Sequence, residues 1–260
     1  IQDAKQQVIR SYPGEDIIHI IVTNYIINDI NYNSLPSEVN CNKVSIDIIF
    51  ICFPKKLIKS LEELFYKHHV SIQKILFSSY AKSLNYKEEL GSFQNIAFID
   101  IGYEKTSVMY FKNDNFNFFH MIAIGSHHIT KDISKILNID LEKSEKAKLN
   151  FDKDNNFLKE NNLPLDLIKR VEEILEISTQ YFKLNKLHKD SNELKLILMG
   201  EGSRILDNNF KNNISFSRDI DLLEETSLDI CESGLKLQQG NNKQEVVIVP
   251  KKFEKKGFFE

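Results

Sequence analysis

An apolar run in this 260-residue chain ends in a carboxylate and a glycine, a pattern that can hold a phosphorylated ligand. Asp100 and Gly102 close the run 96–102, and Thr106 follows on the outgoing segment. The glycine lets the backbone turn tightly so that its N–H groups can cradle phosphate oxygens, and the carboxylate can hold Mg²⁺ through water. The alternative for these residues is a β-hairpin with an ordinary Asx turn.

Two further patterns fit the remainder of a nucleotide. Gly200 and Gly202 end the apolar run 194–199, where glycines allow close approach of a ligand to the backbone. The alternative is a strand-to-helix turn in which Ser203 caps the next helix. Glu145 and Lys148 are three residues apart on a predicted helix, so they share a face that can grip ribose hydroxyls, or they form an ordinary exposed ion pair.

The composition restricts the class of protein. With 34 Lys and Arg residues against 37 Asp and Glu residues, the net charge is −3, which argues against a nucleic-acid binder that relies on phosphate contacts. An apolar fraction of 42% is typical of a globular chain. The three cysteines share no close spacing, which argues against a zinc cluster and fits a reducing cytosol. Adjacent histidines at 68–69 and 127–128 point to different sides of their elements, so we expect structural roles for them.

Hydrophobic spacing and turn residues predict the elements that position these motifs. The first 77 residues are predicted to form a compact α+β unit, with a helix to residue 10, strands 17–27 and 44–53, a helix that begins at Pro54, and a strand 71–77. The remainder is predicted to be mixed α/β, with strands 96–102, 107–111, 116–124 and 194–199, and helices 79–90, 130–137, 141–150, 164–184 and 222–237.

In chain order, the motifs resemble the FtsA family of bacterial cell-division proteins, within the actin and heat-shock ATPase superfamily. The segment 16–25 resembles the family's H-x-x-P-x-x-Y strand. The resemblance implies an α/β fold with actin-like (ribonuclease H-like) domains and an inserted small α+β subdomain. The matching segments are the hairpin that begins at Asp100-x-Gly102, Thr130-Lys-Asp132-Ile133, Ser144-Glu145-x-x-Lys148, Arg170-x-x-Glu173-Ile174 and Met199-Gly200-Glu201-Gly202.

The resemblance also implies a domain organisation. Residues 1–77 would be the inserted subdomain that makes filament contacts, and 78–94 a remnant of the first actin-like domain. Residues 95–228 would be the second actin-like domain, with a helical subdomain at about 141–190. The returning helix would be 229–240, and 241–260 the linker and the start of a membrane-targeting tail. Nothing in the sequence matches the family's first phosphate loop, so the chain is expected to start inside the inserted subdomain.

For ATP and Mg²⁺, the resemblance implies a set of binding residues. Asp100 would lie near the Mg²⁺, through water, and the phosphates, while Gly102, Tyr103 and Thr106 would form the second phosphate loop. Glu145 and Lys148 would meet the ribose, Gly200 and Gly202 would pass under the adenosine, and Ser203 would also belong to the nucleotide site. The sequence departs from the family at three positions. Glu201 stands where the family has a glycine, Met199 where it has a threonine, and Ser144 where it has an alanine. The expected activity is at most that of a weak ATPase, and the protein is expected to be primarily a structural adaptor.

The resemblance further implies a partner-binding helix. Arg170 and Glu173 would dock the carboxy-terminal tail of FtsZ, and Ile174 and Ile177 would meet the apolar face of that peptide. The alternative for Arg170 and Glu173 is an intrahelical ion pair.

The carboxy-terminal tail combines basic and aromatic residues that suit an anionic membrane surface, although it can equally be a disordered, solvated segment. The expected function is therefore an actin-like protein that self-associates and tethers FtsZ to the cytoplasmic face of the membrane at the division site. The alternative is an actin-like pilus or secretion adaptor that does not bind FtsZ. The tail residues in question are Lys252, Phe253, Lys255, Lys256, Phe258 and Phe259.

Overall fold

A computed structural model describes residues 1–91, 93–149, 163–184, 194–205, 220–240, 242 and 244–246. The chain divides into two units, one made of Ile1–Phe77 with the chain from Asn242 onward and the other of Ser78–Asn241. The elements are α1 (Gln2–Ser11), β1 (Glu15–Ile27), β2 (Ile30–Tyr32), β3 (Val44–Pro54), α2 (Lys55–Tyr66), α3 (Ser78–Leu90), β4 (Asn95–Ile101), β5 (Thr106–Lys112), β6 (Asn115–Ile122), α4 (Ser126–Leu137), α5 (Leu141–Leu149), α6 (Leu163–Leu184), β7 (Leu194–Met199), a 3₁₀-helix (Glu201–Ile205), β8 (Ile220–Leu222) and α7 (Ser227–Gln239).

The first unit is built on a three-stranded antiparallel sheet in the order β2-β1-β3. Its strands are rich in isoleucine, a β-branched residue that packs well on a pleated surface. The buried apolar residues of this unit are Ile20, Ile21, Val22, Ile27, Ile51 and Phe77.

The predicted strand 71–77 is wrong, because these residues have no regular secondary structure. The edge of β1 at residues 20–22 is occupied by a segment from the other end of the chain. Val22 donates its N–H to the carbonyl of Gln244, and Val246 donates its N–H to the carbonyl of Ile20, both at 2.8 Å. The segment 71–77 therefore has no edge of β1 to pair with there, and the N–H of Phe77 donates instead to Nε2 of His19 at 3.0 Å.

The second unit contains a five-stranded mixed sheet in the order β6-β5-β4-β7-β8. β4 pairs with β5 in antiparallel and with β7 in parallel orientation, and β7 pairs in parallel with β8. Because β4 and β7 are parallel, their carboxyl ends lie at the same edge of the sheet, where Asp100 is opposite Met199. The predicted α/β class is confirmed.

Alternation along β4 separates two buried faces. Ala97, Ile99 and Ile101 face a core that includes residues of α4 and α6. Phe98 and Asp100, which lie between them, face α3. Aromatic rings pack on this side of the sheet, where Tyr80 lies edge-on to Phe116 with ring centroids 5.0 Å apart. Burial of both faces explains why β4 is a continuous apolar run.

The last helix begins later than predicted, because residues 220–222 form the short strand β8. Thr226 is the N-cap of α7, and its hydroxyl accepts the N–H of Asp229 at 3.3 Å. This capping box fixes the start of the helix at Ser227. No helix within the described ranges is long and apolar enough to span a bilayer.

Candidate functional site

Asp100 lies at the carboxyl end of β4 on the face that packs against α3. Its Oδ2 atom is 3.0 Å from Nζ of Lys82, which α3 projects toward the sheet. The same Nζ is 2.9 Å from Oε2 of Glu225, just ahead of α7. All three residues are buried, with 3%, 7% and 7% of Lys82, Asp100 and Glu225 exposed. The structure therefore contains a buried triad of two carboxylates and one ammonium group, which we call the Lys82 triad.

Gly200 packs directly on this triad. Its φ angle is +88°, and its N–H donates to Oε2 of Glu225 at 2.7 Å. A Cβ atom at this position would lie 2.2 Å from Oδ1 of Asp100. Gly200 is thus required by the contact between the end of β7 and Asp100, and the space beside it is filled by the protein itself.

Gly202 and Ser203 continue the same tight turn. A Cβ atom on Gly202 would lie 2.5 Å from Cγ2 of Ile101. The hydroxyl of Ser203 donates to the carbonyl of Gly200 at 2.7 Å, and its N–H donates to the same carbonyl at 3.0 Å. Ser203 thus lies inside the 3₁₀-helix Glu201–Ile205 and donates back to Gly200, so it does not cap a following helix as the alternative prediction expected.

The predicted phosphate loop is closed by its own hydrogen bonds. Gly102 donates its N–H to the carbonyl of Lys105 at 3.0 Å, and the buried hydroxyl of Thr106 donates to the carbonyl of Ile124 at 2.7 Å. At the start of α4, the N–H of Ser126 donates to the carbonyl of Gly102 at 2.9 Å, and that of His127 donates to the carbonyl of Tyr103 at 2.8 Å. These two helix N-terminal amides therefore bind backbone carbonyls, although such amides often bind anions.

Glu145 and Lys148 also bind each other. Nζ of Lys148 lies 2.7 Å from the Glu145 carboxylate, 2.9 Å from the hydroxyl of Thr130 and 3.4 Å from the carbonyl of Ser126. The Thr130 hydroxyl donates to Glu145 at 2.5 Å. Desolvation raises the pKa of Glu145, but the hydrogen bonds from Lys148 and Thr130 outweigh it and hold that pKa below its usual value. Lys148 is buried, and the two side chains predicted to contact the ribose are bound to each other and to Thr130.

These contacts do not fit a bound Mg²⁺ ion. One oxygen of Asp100 is paired with the Lys82 ammonium, and the other lies against Gly200. Among the residues that the structure describes, no group of three or more His, Cys, Asp and Glu side chains could hold a metal ion. A small cavity of about 240 Å³ remains beside the triad, and it is lined by residues that include Ser79, Lys82, Asp100, Tyr103, Lys105 and Glu225.

Arg170 lies in a second concave surface, a groove of about 390 Å³ that α4 and α6 form together. Its Nε and Nη2 atoms donate to the two oxygens of Asp132 at 2.7 and 3.2 Å, and its Nη1 atom donates to Glu173 at 2.5 Å. The hydrogen bonds to Asp132 are the main cause that raises the pKa of Arg170. We call this surface the Arg170 groove; its lining residues are Asp132, Lys135, Ile136, Lys169, Arg170 and Glu173.

The isoleucines predicted to meet a peptide lie elsewhere. Ile174 is fully buried in the core, so its predicted contact with a docked peptide is wrong, and Ile177 packs against that core. The apolar side chain that lines the groove is Ile136 of α4, which is 41% exposed. The peptide role of Ile174 came from the family resemblance, whereas the apolar spacing of α6 groups it with Val171 and Leu175, which are also buried in the core. The tail residues 252–259 lie outside the described residues.

Comparison with known proteins supports the resemblance. Residues 97–214 match the family described as "Cell division protein FtsA". Curated FtsA proteins from Helicobacter pylori and Agrobacterium fabrum are each 25% identical, over 139 and 150 residues, or 52% and 56% of this chain. The matches span 27% and 32% of those relatives, about a quarter to a third of their length.

Among solved structures, the "PilM-PilN type IV pilus biogenesis complex" is similar to 89% of this chain and 62% of the matched chain, with a TM-score of 0.61 and 14% identity. The structure of MreB5 of Spiroplasma citri bound to AMPPNP is also similar, with a TM-score of 0.49 and 14% identity. The match covers 72% of this chain and 65% of the MreB5 chain. The similarity to the PilM-PilN structure, with the FtsA family match and the FtsA relatives, shows an actin-like fold and confirms the resemblance to FtsA.

Proposed function

We propose that this FtsA-like chain is an adaptor of the bacterial division ring that docks the carboxy-terminal tail of FtsZ in the Arg170 groove. The observation that supports the proposal is the arrangement of Arg170, whose guanidinium is presented between α4 and α6 by Asp132 and Glu173. A planar guanidinium held in this way can bind a carboxylate with two parallel hydrogen bonds.

The charge and shape of the groove suit an acidic peptide with an apolar face. Three cations line it, Lys135, Lys169 and Arg170, against the carboxylates of Asp132 and Glu173. The net charge of these five side chains is +1, which favours the binding of an acidic peptide segment. The exposed part of Ile136 offers an apolar contact beside these charges. The peptide carboxylates would compete with Asp132 and Glu173 for the guanidinium.

The proposal is tested by titrating a fluorescent FtsZ tail peptide and measuring its anisotropy. Arg170→Glu should weaken binding about tenfold or more, because it replaces the central cation of the groove by a like charge. Lys143→Glu is the matched control, since it makes the same charge change on an exposed side chain of α5 that pairs with Asp140. No binding to the wild-type protein, or equal weakening by both variants, would refute the proposal.

Four further properties rest on the resemblance to FtsA. These are self-association through the first unit, attachment of the tail 252–259 to the inner face of the membrane, ATP binding and, at most, a weak ATPase activity. Sedimentation with vesicles that contain anionic lipids tests the membrane contact. Calorimetry with ATP, in the presence and absence of MgCl₂, tests the nucleotide. Because Asp100 is paired with Lys82, we expect ATP binding that does not depend on MgCl₂.

The second candidate is an actin-like adaptor for pilus or secretion assembly that does not bind FtsZ. It is favoured by the similarity of the PilM-PilN complex, which extends over 89% of this chain. The two functions differ in the peptide that binds. A PilN peptide that binds in the titration described above, while the FtsZ tail does not, would select this second function.

A further inference from the structure

The Lys82 triad places an ammonium group where two buried carboxylates converge. Nζ of Lys82 is 3.0 Å from Oδ2 of Asp100 and 2.9 Å from Oε2 of Glu225. Two carboxylates with less than a tenth of their surface exposed need a cation beside them, because an uncompensated buried charge is costly. In this chain, a side chain supplies that cation.

An ammonium and a divalent cation cannot share this position. Mg²⁺ binds carboxylate oxygens at about 2.0–2.1 Å and keeps an octahedral shell of oxygens, usually with several waters. An ammonium group about 3 Å from the same oxygens would lie inside that shell and would repel the ion. Binding of Mg²⁺ therefore requires Lys82 to leave.

The surrounding contacts hold the triad in place. Oε2 of Glu225 also accepts the N–H of Gly200, and the backbone carbonyl of Glu225 accepts a hydrogen bond from Arg204 at 2.6 Å. Asp100 is confined on its other side by Gly200. The ammonium thus connects α3, the end of β4 and the start of α7 within the second unit.

The charge of the cavity agrees with this assignment. Its charged lining residues are Lys82 and Lys105 against Asp100, Glu201 and Glu225, a balance of −1. Removal of the Lys82 charge would change that balance to −2 around an existing cavity of about 240 Å³. Such a cavity would attract a divalent cation, because Mg²⁺ in proteins is commonly bound through one or two carboxylates and keeps several waters.

We propose that Lys82 is a resident counter-ion that takes the place of a divalent cation at the end of β4, so that loss of its charge converts the cavity into a site for Mg²⁺ or Mn²⁺. The proposal does not depend on the partner that binds in the Arg170 groove.

The experiment measures Mn²⁺ binding by electron paramagnetic resonance, with the whole chain as wild type and as Lys82→Ala. The wild type should bind no more Mn²⁺ than Asp100→Asn, which lacks the carboxylate at the end of β4. Lys82→Ala should bind Mn²⁺, and its Tm should rise by about 2–4 °C on addition of MgCl₂. Bound Mn²⁺ in the wild type that disappears in Asp100→Asn would overturn the proposal.

Lys87→Ala is the matched control. Lys87 is on the same helix and forms an ion pair with Asp114, Nζ to Oδ1, at 3.1 Å. Its loss removes a cation without exposing two converging carboxylates, so no Mn²⁺ site should appear. If Lys82→Ala does not fold, Lys82→Met keeps the apolar stem and allows the same measurement. A folded Lys82 variant that binds no more Mn²⁺ than Lys87→Ala contradicts the proposal.

Discussion

Two glycines with positive φ angles differ in what surrounds them. Gly91 has a φ of +81° with no heavy atom within 4 Å of a Cβ atom, whereas at Gly200 that Cβ would collide with Oδ1 of Asp100. Substitution of the first costs only backbone strain, and substitution of the second also displaces a partner of Lys82. Substitutions at Gly91 and Gly200 therefore allow the cost of backbone strain alone to be compared with the cost of strain plus a steric clash.

We expect Gly200→Ala to lower the free energy of unfolding by about 2–4 kcal/mol, because a left-handed backbone and a steric overlap add together. Gly91→Ala should cost about 1 kcal/mol, the strain alone. Urea unfolding followed by circular dichroism measures both. Equal losses in the two variants would show that Asp100 moves aside without cost.

The sequence predicted part of this site. Asp100 and Gly200 each end an apolar run, and the structure brings them together because β4 and β7 are parallel neighbours. Lys82 and Glu225 could not be predicted as partners, since they lie 143 residues apart on elements without a recognisable charge motif. Their association depends on which face of the sheet α3 covers, which hydrophobic spacing alone does not determine.

At the level of elements, one imidazole holds three segments of the first unit together. His19 of β1 is buried, and its Nδ1 atom lies 3.0 Å from Oε1 of Glu245, while its Nε2 atom accepts the N–H of Phe77 at 3.0 Å. These contacts require the proton on Nδ1. The segment 71–77 is thus fixed by a side chain instead of by a strand ladder.

We expect His19→Ala to lower the free energy of unfolding by about 1–3 kcal/mol, because it removes the acceptor of a buried N–H and the partner of Glu245. The amide hydrogen of Phe77 should also exchange faster, as measured by hydrogen exchange. His68→Ala, at an exposed histidine, should change stability by less than about 0.5 kcal/mol. Unchanged protection of Phe77 in His19→Ala would show that another contact holds this segment.

The wrong strand at 71–77 illustrates the limit of sequence patterns at this level. Its isoleucine and leucine residues suit a strand, but a strand also needs a free neighbouring edge. That edge at residues 20–22 is taken by 244–246, which carried no strand prediction. Helices α2 and α6 were predicted more successfully, because their amphipathic spacing is a local property.

For the whole molecule, the division of the chain into two compact units leads us to expect two thermal transitions in calorimetry. His19→Ala should lower the midpoint of one transition, and Gly200→Ala should lower the midpoint of the other. The assignment follows from the unit in which each residue lies. A single transition that both variants shift equally would show that the units unfold as one.

The pairing of β1 with the segment 244–246 has a consequence for biosynthesis. His19 and Glu245 are 226 positions apart, and the entire second unit lies between them in the chain. A ribosome therefore releases every residue of Ser78–Asn241 before the edge of β1 receives its last partner. The nascent first unit has to wait, with that edge uncovered, while the later-made unit is already able to acquire its native core.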